Sequence, residues 1–222
     1  MTLPEAIKCR HSVRSYTDKP IEPEKVEALS RIIDECNQEG RLHIQLVTEE
    51  PRAFGNFFTH YGAFSGVRNY IALVGVNDDT LSERAGYYGE KIVLAAQRMG
   101  LNTCWVALTY SKSRSLVTVD EGEKLVCVIS LGYGTTQGHK HRIKSFEQVS
   151  RVSGEAPDWF RRGVEAALLA PTAINQQKFR FILHPNNQVE AVARLGFYSK
   201  VDLGIVKYHF EIGAAPTPFS WL

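Results

Sequence analysis

The chain has 222 residues, of which 44% are hydrophobic, so it can bury a substantial core as one large domain or two small ones. Its 26 basic and 24 acidic side chains leave a net charge of +2, and this near balance gives no reason to expect a nucleic-acid partner. The N-terminus lacks the apolar core of a signal peptide, and no run approaches the roughly 20 apolar residues that span a bilayer. We therefore expect a soluble cytoplasmic protein without membrane contact.

In the first part of the chain, predicted helices and strands follow one another without a fixed order. Proline in the first turn favours a short helix over 4–8, and residues 23–38 have the apolar spacing of a longer one. Residues 42–46 alternate between apolar and polar side chains, which indicates a half-buried strand. Residues 69–76 are almost wholly apolar and are therefore predicted to form a central strand.

A helix that is apolar around most of its circumference is predicted over 87–99, with Gly100 just past its end. Such a helix is usually buried inside a domain. Two further strands are expected over 103–108 and 124–132, and a basic loop over 139–144 precedes the second part of the chain.

The second part begins with a helix that Asp158 is expected to cap and that ends near Leu169. A strand over 178–183 and two helices over 188–195 and 201–212 complete the prediction. Because strands and helices mix without a strict βαβ order, the pattern favours the α+β class over a doubly wound fold.

Two short segments indicate a faint internal repeat. Residues 26–29 and 164–167 both begin with Val-Glu-Ala, and each lies in a predicted helix that leads into a strand. A true repeat would make the chain a duplicated and diverged pair of halves, 1–150 and 151–222, packed together as one globular unit. Chance similarity between amphipathic helices is the alternative.

The four cysteines, Cys9, Cys36, Cys104 and Cys127, lack the spacing of a zinc site or a redox pair, so we expect free thiols and no metal. Cys104 and Cys127 lie in apolar runs, where a thiol packs as a small hydrophobic group. Reduced thiols are typical of an intracellular protein.

Two distant segments carry polar groups that suit a large planar ligand with a phosphate. The first contains Arg10, Ser12 and Arg14, and alternate residues of an extended segment point the same way. Guanidinium groups bind phosphate through two parallel hydrogen bonds. A solvated basic turn after a helix C-terminus is the alternative.

The second segment, 170–177, follows an apolar helix that Pro171 ends. Thr172, Asn175 and Gln177 stand between a buried helix and an aromatic strand, so their polar groups require partners. A ligand with ring heteroatoms would supply them, as would ordinary hydrogen bonds at the helix end.

A further cationic pair, Lys140 and Arg142, follows the turn 132–134. The pair belongs either to the same site or to a charged surface run. The Gly-Tyr-Gly of the turn is not a dinucleotide fingerprint, because the third glycine and the following helix are missing.

These segments resemble motifs of the flavin-dependent nitroreductase family. Residues 10–16 (Arg-His-Ser-Val-Arg-Ser-Tyr) resemble its Arg-x-Ser-x-Arg/Lys-x-aromatic signature, and 170–179 resemble its Ala-Pro-Ser-x-x-Asn-x-Gln-Pro-Trp segment. Residues 100–105 and 131–142 resemble the end of its central helix and its late Gly-Tyr and Lys-x-Arg elements. The resemblance covers most of the chain. It implies a nitroreductase-like α+β fold with a mixed, mostly antiparallel central sheet flanked by helices.

The order of the motifs departs from that of the family, in which the Pro-Ser-x-x-Asn segment follows the second helix. Here residues 34–40 occupy that place and do not match, and the matching segment lies in the last quarter of the chain. Family members are typically intertwined homodimers that build each FMN site from both subunits. The resemblance is to the subgroup in which one chain imitates that dimer, which implies a monomer with one FMN between its halves.

The resemblance assigns the flavin contacts and requires no catalytic side chain. Phosphate, ribityl or ring-edge contacts fall to the polar residues of the first motif and the later basic pair: Arg10, His11, Ser12, Lys140 and Arg142. Arg14 matches a position near the ring, where a cation favours the negatively charged reduced flavin. The ring would be lined from the other half by Pro171, Thr172, Ala173 and Asn175. Two residues depart from the motif, Thr172 for serine and Lys178 for proline.

The implied activity is a ping-pong reaction in which NAD(P)H reduces the flavin and a nitroaromatic or quinone-like molecule reoxidises it. The alternatives are a non-catalytic FMN-binding protein for storage or sensing, and an interaction module without a cofactor. The aromatic side chains of Phe54, Phe57, Phe58 and Tyr61 would shape an acceptor pocket or simply pack in the core.

Overall fold

The computed structural model of the protein describes residues 1–54, 64–107 and 116–222. The chain divides into two compact units. The first unit contains residues 9–81 and 92–140, and the second contains residues 1–8, 82–91 and 141–222. The units are therefore interleaved in sequence, and the proposed duplication of 1–150 and 151–222 stays a prediction.

The described residues form six helices and eight strands. The helices are α1 (Leu3–Cys9), α2 (Pro23–Gly40), α3 (Leu81–Arg98), α4 (Phe146–Val149), α5 (Asp158–Leu168) and α6 (Ser199–Ala214). The strands are β1 (Gln45–Val47), β2 (Asn69–Val76), β3 (Asn102–Val106), β4 (Glu123–Gly132), β5 (Ser150–Arg151), β6 (Phe179–His184), β7 (Gln188–Ala193) and β8 (Ser220–Trp221). The predicted α+β class is confirmed.

The first unit contains an antiparallel sheet in the order β1-β2-β4-β3. Strand β2 lies inside this sheet, and all of its residues except Val76 are buried, as its apolar sequence predicts. Tyr70, Ala72 and Val74 of β2 pack with Val128 of β4 in one core cluster. The predicted bounds of β2 are confirmed.

Strand β1 is shorter than the predicted strand over 42–46. The side-chain amide of Asn37 donates to the Ile44 carbonyl (3.0 Å), and its oxygen accepts the Ile44 N–H (2.7 Å). These bonds take the backbone groups of Ile44 that a strand ladder would use, so regular pairing starts at Gln45.

Helix α3 begins six residues before the predicted start at Tyr87. Asp78 accepts hydrogen bonds from the Thr80 N–H (2.8 Å) and hydroxyl (2.7 Å), and these bonds order the turn that leads into the helix. The first turns of α3 carry polar residues, so apolar spacing alone did not reveal them.

The second unit contains its own four-stranded sheet, in the order β5-β6-β7-β8. Strands β6 and β7 are antiparallel, whereas β5 and β8 are parallel to their neighbours. The strands thus form two sheets rather than the single central sheet that was expected. Helices α5 and α6 pack closely: a Cβ at Gly163 of α5 would lie only 2.7 Å from the ring of Phe210 of α6, so the contact requires glycine.

The segment 188–195 was predicted to be a helix, and this prediction is wrong. Residues Gln188–Ala193 form strand β7, which pairs with β6 as a hairpin. The connecting turn places Asn186 and Asn187 in the left-handed region, with φ of 60° and 55°. Pro-Asn-Asn is a strong turn signal, and the alanines of the segment concealed its two-residue alternation.

The cysteines agree with the prediction of free thiols. All four are free, and Cys36, Cys104 and Cys127 are buried whereas Cys9 is exposed.

Candidate functional site

The N-terminal basic segment runs along the edge of the first sheet. Ser12 forms a parallel bridge with Thr103 of β3, and the Val13 N–H donates to the Thr103 carbonyl at 3.0 Å. Val13 is buried, whereas Ser12 is half-buried and Arg14 is exposed. Neighbouring residues of an extended chain face opposite sides, so Ser12 and Arg14 are expected to share a side. Arg10, which the sequence placed on that side as well, is only 2% exposed, so the shared side of all three residues stays a prediction.

A glycine-containing loop lies directly against this segment. A Cβ at Gly134 would lie 2.7 Å from the Cγ1 of Val13. Gly138 has a φ of +73°, and a Cβ there would lie 2.8 Å from the Cβ of His11. The approach therefore requires glycine at both positions. Because Lys140 follows Gly138 by two residues, the loop brings the Lys140 segment close to His11.

Cys104 on β3 lies within the electrostatic field of the basic segment. Burial raises the pKa of its thiol, while the charge of Arg14, a hydrogen bond with Ser12 and the charge of Arg10 act in the opposite direction. Arg10 itself is only 2% exposed. From the sequence we interpreted Cys104 as a packing residue, and its place near the charges of two guanidinium groups was not predicted.

The late polar loop has an unusual backbone. Ala173–Asn175 form a 3-10 turn, and Ile174, Asn175 and Gln177 have left-handed φ angles of 46°, 54° and 47°. A residue other than glycine in this region costs about 1–3 kcal/mol and persists where surrounding contacts enforce it. The Ile174 side chain is 87% exposed, so packing does not enforce its conformation.

Hydrogen bonds enforce the shape of this loop. The Gln177 N–H donates to the Thr172 Oγ1 at 3.1 Å. The Asn175 Nδ2 and the Gln177 Nε2 both donate to the Arg142 carbonyl, at 2.9 and 2.7 Å. The loop therefore binds the Arg142 segment. Thr172, Asn175 and Gln177 therefore form hydrogen bonds within the second unit. This agrees with the interpretation from sequence that ordinary hydrogen bonds at the helix end supply their partners.

Asp202 of α6 holds the other side of the loop. Its Oδ1 accepts the Ala173 N–H at 2.9 Å, and its Oδ2 accepts the Gln176 Nε2 at 2.8 Å. Asp202 is 3% exposed, and burial raises its pKa to about 6 although both hydrogen bonds act to lower it. Sequence reasoning missed this residue, and a carboxylate inside the apolar run 201–206 was the available signal.

The structure gathers the ten predicted site residues into two groups, one in each unit. The first unit holds Arg10, His11, Ser12, Arg14 and Lys140, and the second holds Arg142, Pro171, Thr172, Ala173 and Asn175. Within each unit, the members come from segments that contact one another. The convergence of both groups on one ligand stays a prediction.

The two groups fit the parts of FMN. Guanidinium groups, a hydroxyl and a closely packed glycine loop suit a phosphate, which needs charge and several donors. The second-unit loop offers the half-buried Ala173 as apolar surface for a flat ring, whereas Pro171 is buried and the N–H groups of Ala173 and Gln177 are already hydrogen-bonded.

The proposed acceptor pocket falls mostly outside the described residues, because it involved Phe57, Phe58 and Tyr61. Phe54 is described, and its ring centroid lies 5.6 Å from that of Phe64 and 5.8 Å from that of Tyr70. Phe54 therefore packs against the core of the first unit.

One group of potential metal ligands was not anticipated. The ligand atoms of His43, Asp120 and Glu123 lie within 4.8 Å of one another. The His43 Nδ1 and the Glu123 Oε2 are 2.8 Å apart, so these two side chains already form a hydrogen-bonded pair.

None of the helices in the described part of the chain combines the length and the apolar character needed to cross a membrane.

Comparison with known proteins places these features in a family. The chain matches the sequence profile of the family described as "Putative TM nitroreductase" over residues 2–214. No curated protein matches the chain.

Solved structures share the fold. A "putative nitroreductase" of Thermotoga maritima MSB8 has a TM-score of 0.65 at 21% identity, with 95% of this chain and 82% of that chain covered. A nitroreductase family protein of Clostridium difficile 630 has a TM-score of 0.54 at 18% identity, with 71% and 100% covered. A "Putative NADH dehydrogenase/NAD(P)H nitroreductase" of Bacteroides thetaiotaomicron VPI-5482 has a TM-score of 0.51 at 22% identity, with 65% and 95% covered. At these identities the likeness concerns the fold.

Proposed function

The chain belongs to the nitroreductase family whose profile spans residues 2–214, and from this premise we propose that it is an FMN-dependent oxidoreductase that uses NAD(P)H. The acceptors in this proposal are nitroaromatic or quinone-like molecules, and the reaction is ping-pong. One FMN binds per chain, and the chain acts as a monomer that imitates the family dimer.

The observation that carries the proposal is the construction of the basic segment. Ser12 is fixed on β3 by its bridge with Thr103, Arg14 follows two residues later, and Gly134 and Gly138 approach the same segment so closely that a Cβ on either would clash with it. Such a site supplies charge and N–H donors at a fixed position, which is what binding of a phosphate requires.

Bound FMN supplies the redox chemistry, since its ring accepts a hydride from NAD(P)H and passes the electrons to an acceptor. Arg10, Ser12, Lys140 and Arg142 hold the phosphate and ribityl end. Arg14 would supply a positive charge on the ring side of the bound cofactor, where a cation favours the negatively charged reduced flavin. The half-buried Ala173 would give the ring an apolar surface, whereas Pro171 is buried within the same loop.

The second-unit loop contributes rigidity. Asp202 and Arg142 hold the loop from two sides through hydrogen bonds of 2.7–2.9 Å. A loop fixed before the ligand arrives loses little entropy on binding, and it keeps the ring in one orientation toward the donor and the acceptor.

The test is a two-step reaction with purified protein. Anaerobic addition of NADPH or NADH is expected to bleach the visible flavin absorbance, and addition of menadione or nitrofurazone is expected to restore it. A protein that retains flavin but is not reduced by either nucleotide would instead be a storage or sensing protein. A colourless protein that does not retain added FMN would refute the proposal altogether.

A further inference from the structure

Strand β6 and the residue directly before it present two cations on the face of the second sheet that points away from its core. Phe179 and Phe181 are 1% and 0% exposed, and the ring of Phe181 lies 4.7 Å from the ring of Phe210 in α6. Side chains alternate between the faces of a strand. Lys178 and Arg180 therefore lie on the opposite face, away from α6.

The neighbouring strand adds a third cation at the same level. Phe179 pairs with Ala193, so Lys178 stands directly opposite Arg194, whose N–H donates to the Lys178 carbonyl at 2.8 Å. Directly opposite residues place their side chains on the same face, and like charges there are destabilising. The chain thus keeps an arrangement that costs stability unless an anion binds to it.

Lys144 completes the group from a different segment. Its Nζ donates to the carbonyls of Gln176 and Gln177, at 2.9 and 2.8 Å, directly before Lys178 in the chain. Burial lowers the pKa of Lys144, and the charges of Arg194 and Lys178 lower it further. The three cations are therefore close enough to repel one another.

Arg180 gives independent evidence for a missing acceptor. Its Nε is buried and has no hydrogen-bond partner. A buried donor without a partner costs about 1–3 kcal/mol, so such a group requires an explanation, and a bound anion is one that also accounts for the neighbouring cations. The carboxylate of Glu190, which pairs opposite Ile182 and so lies on the same face, is engaged by the His184 Nε2 at 2.9 Å.

No carboxylate forms an ion pair with any of these four cations within residues 1–54, 64–107 and 116–222. We propose that Lys144, Lys178, Arg180 and Arg194 bind the phosphate groups of the pyridine-dinucleotide donor. Four cations suit a ligand with adjacent phosphates better than a single monoanion.

The choice of the donor rests on the proposed function. Lys178 and Arg180 follow the loop 171–177 directly, and that loop is the one proposed to line the flavin ring. A dinucleotide whose nicotinamide reaches the ring is expected, on that proposal, to place its phosphates near the same loop. The flavin phosphate has its own proposed donors in Arg10 and Ser12.

The test measures binding by titration calorimetry on the protein as purified, with inorganic pyrophosphate and NADP⁺ as probes. The double variant K178Q/R194Q is expected to bind both probes about tenfold or more weakly, because it loses two charge-assisted contacts. The wild-type affinity is expected to fall more steeply with salt than that of the variant. R162Q removes an exposed arginine of α5 in the same unit and is expected to bind as the wild type does.

Equal weakening by R162Q, or no weakening by K178Q/R194Q, would overturn the site. Thermal unfolding of each variant is measured alongside, and R180K, which keeps the charge, provides a second probe of the site. The flavin content separates this inference from the proposed function. Pyrophosphate binding by a colourless protein would support the anion site and refute the flavin proposal. A yellow protein that does not bind pyrophosphate would support the flavin proposal and refute the anion site.

Discussion

The buried carboxylate of Asp202 makes the stability of the protein depend on pH in an unusual direction. Burial raises the pKa of Asp202 from 3.8 to about 6, so the folded chain holds a proton that the unfolded chain releases. The free energy of unfolding therefore falls as the pH rises between these values, by about 1.4 kcal/mol for each pH unit. Most carboxylates in ion pairs have the opposite effect.

The variant D202N isolates this contribution, because an amide does not titrate. We expect the free energy of unfolding of the wild type, relative to that of D202N, to fall by about 2–3 kcal/mol between pH 4 and pH 7.5. Other titrating groups cancel in this difference. The measurement is urea unfolding followed by circular dichroism at several pH values, with E165Q, which removes an exposed carboxylate of α5, as the matched control. A difference that stays constant or rises with pH would refute the argument.

Two further substitutions test the site and the core. G138A places a Cβ 2.8 Å from the Cβ of His11. G122A is the control, because φ is also positive there but no atom lies within 4 Å of the added Cβ. We expect the FMN affinity of G138A, measured by flavin fluorescence titration, to be about tenfold lower than that of G122A, and equal affinities would contradict the glycine requirement. H209L removes the imidazole whose Nε2 lies 2.9 Å from the Glu90 Oε1, and both side chains are 0% exposed. Urea unfolding should show a loss of about 3–5 kcal/mol, and a loss below about 1 kcal/mol would show that Glu90 is readily satisfied without the imidazole.

The sequence predicted elements well where one physical signal dominated. Strand β2 is almost wholly apolar, as expected of a strand that lies inside a sheet, and its bounds at Asn69 and Val76 were predicted without error. Prediction failed where side chains redirect the backbone, as at Asn37, which shortens β1 by binding both backbone groups of Ile44. No periodicity records such a contact.

The candidate site shows the same division. The extended backbone around Ser12 could be inferred from the sequence, and Ser12 does form a strand-like bridge with Thr103. The left-handed turn at Ile174 could not be inferred from the sequence, because an exposed isoleucine is not a turn signal. Its conformation depends on Asp202 and Arg142, which are distant in sequence. The cationic face was hidden for a similar reason, since Lys178 and Arg194 meet only through the pairing of β6 with β7.

The central claim is that both groups of residues close over one flavin within a single chain. Analytical ultracentrifugation that follows the visible absorbance of flavin tests it directly. We predict that the absorbance sediments with a monomer of 24.9 kDa at one FMN per chain. Flavin that sediments only with a dimer, at two FMN per pair of chains or at one FMN shared between them, would contradict the claim.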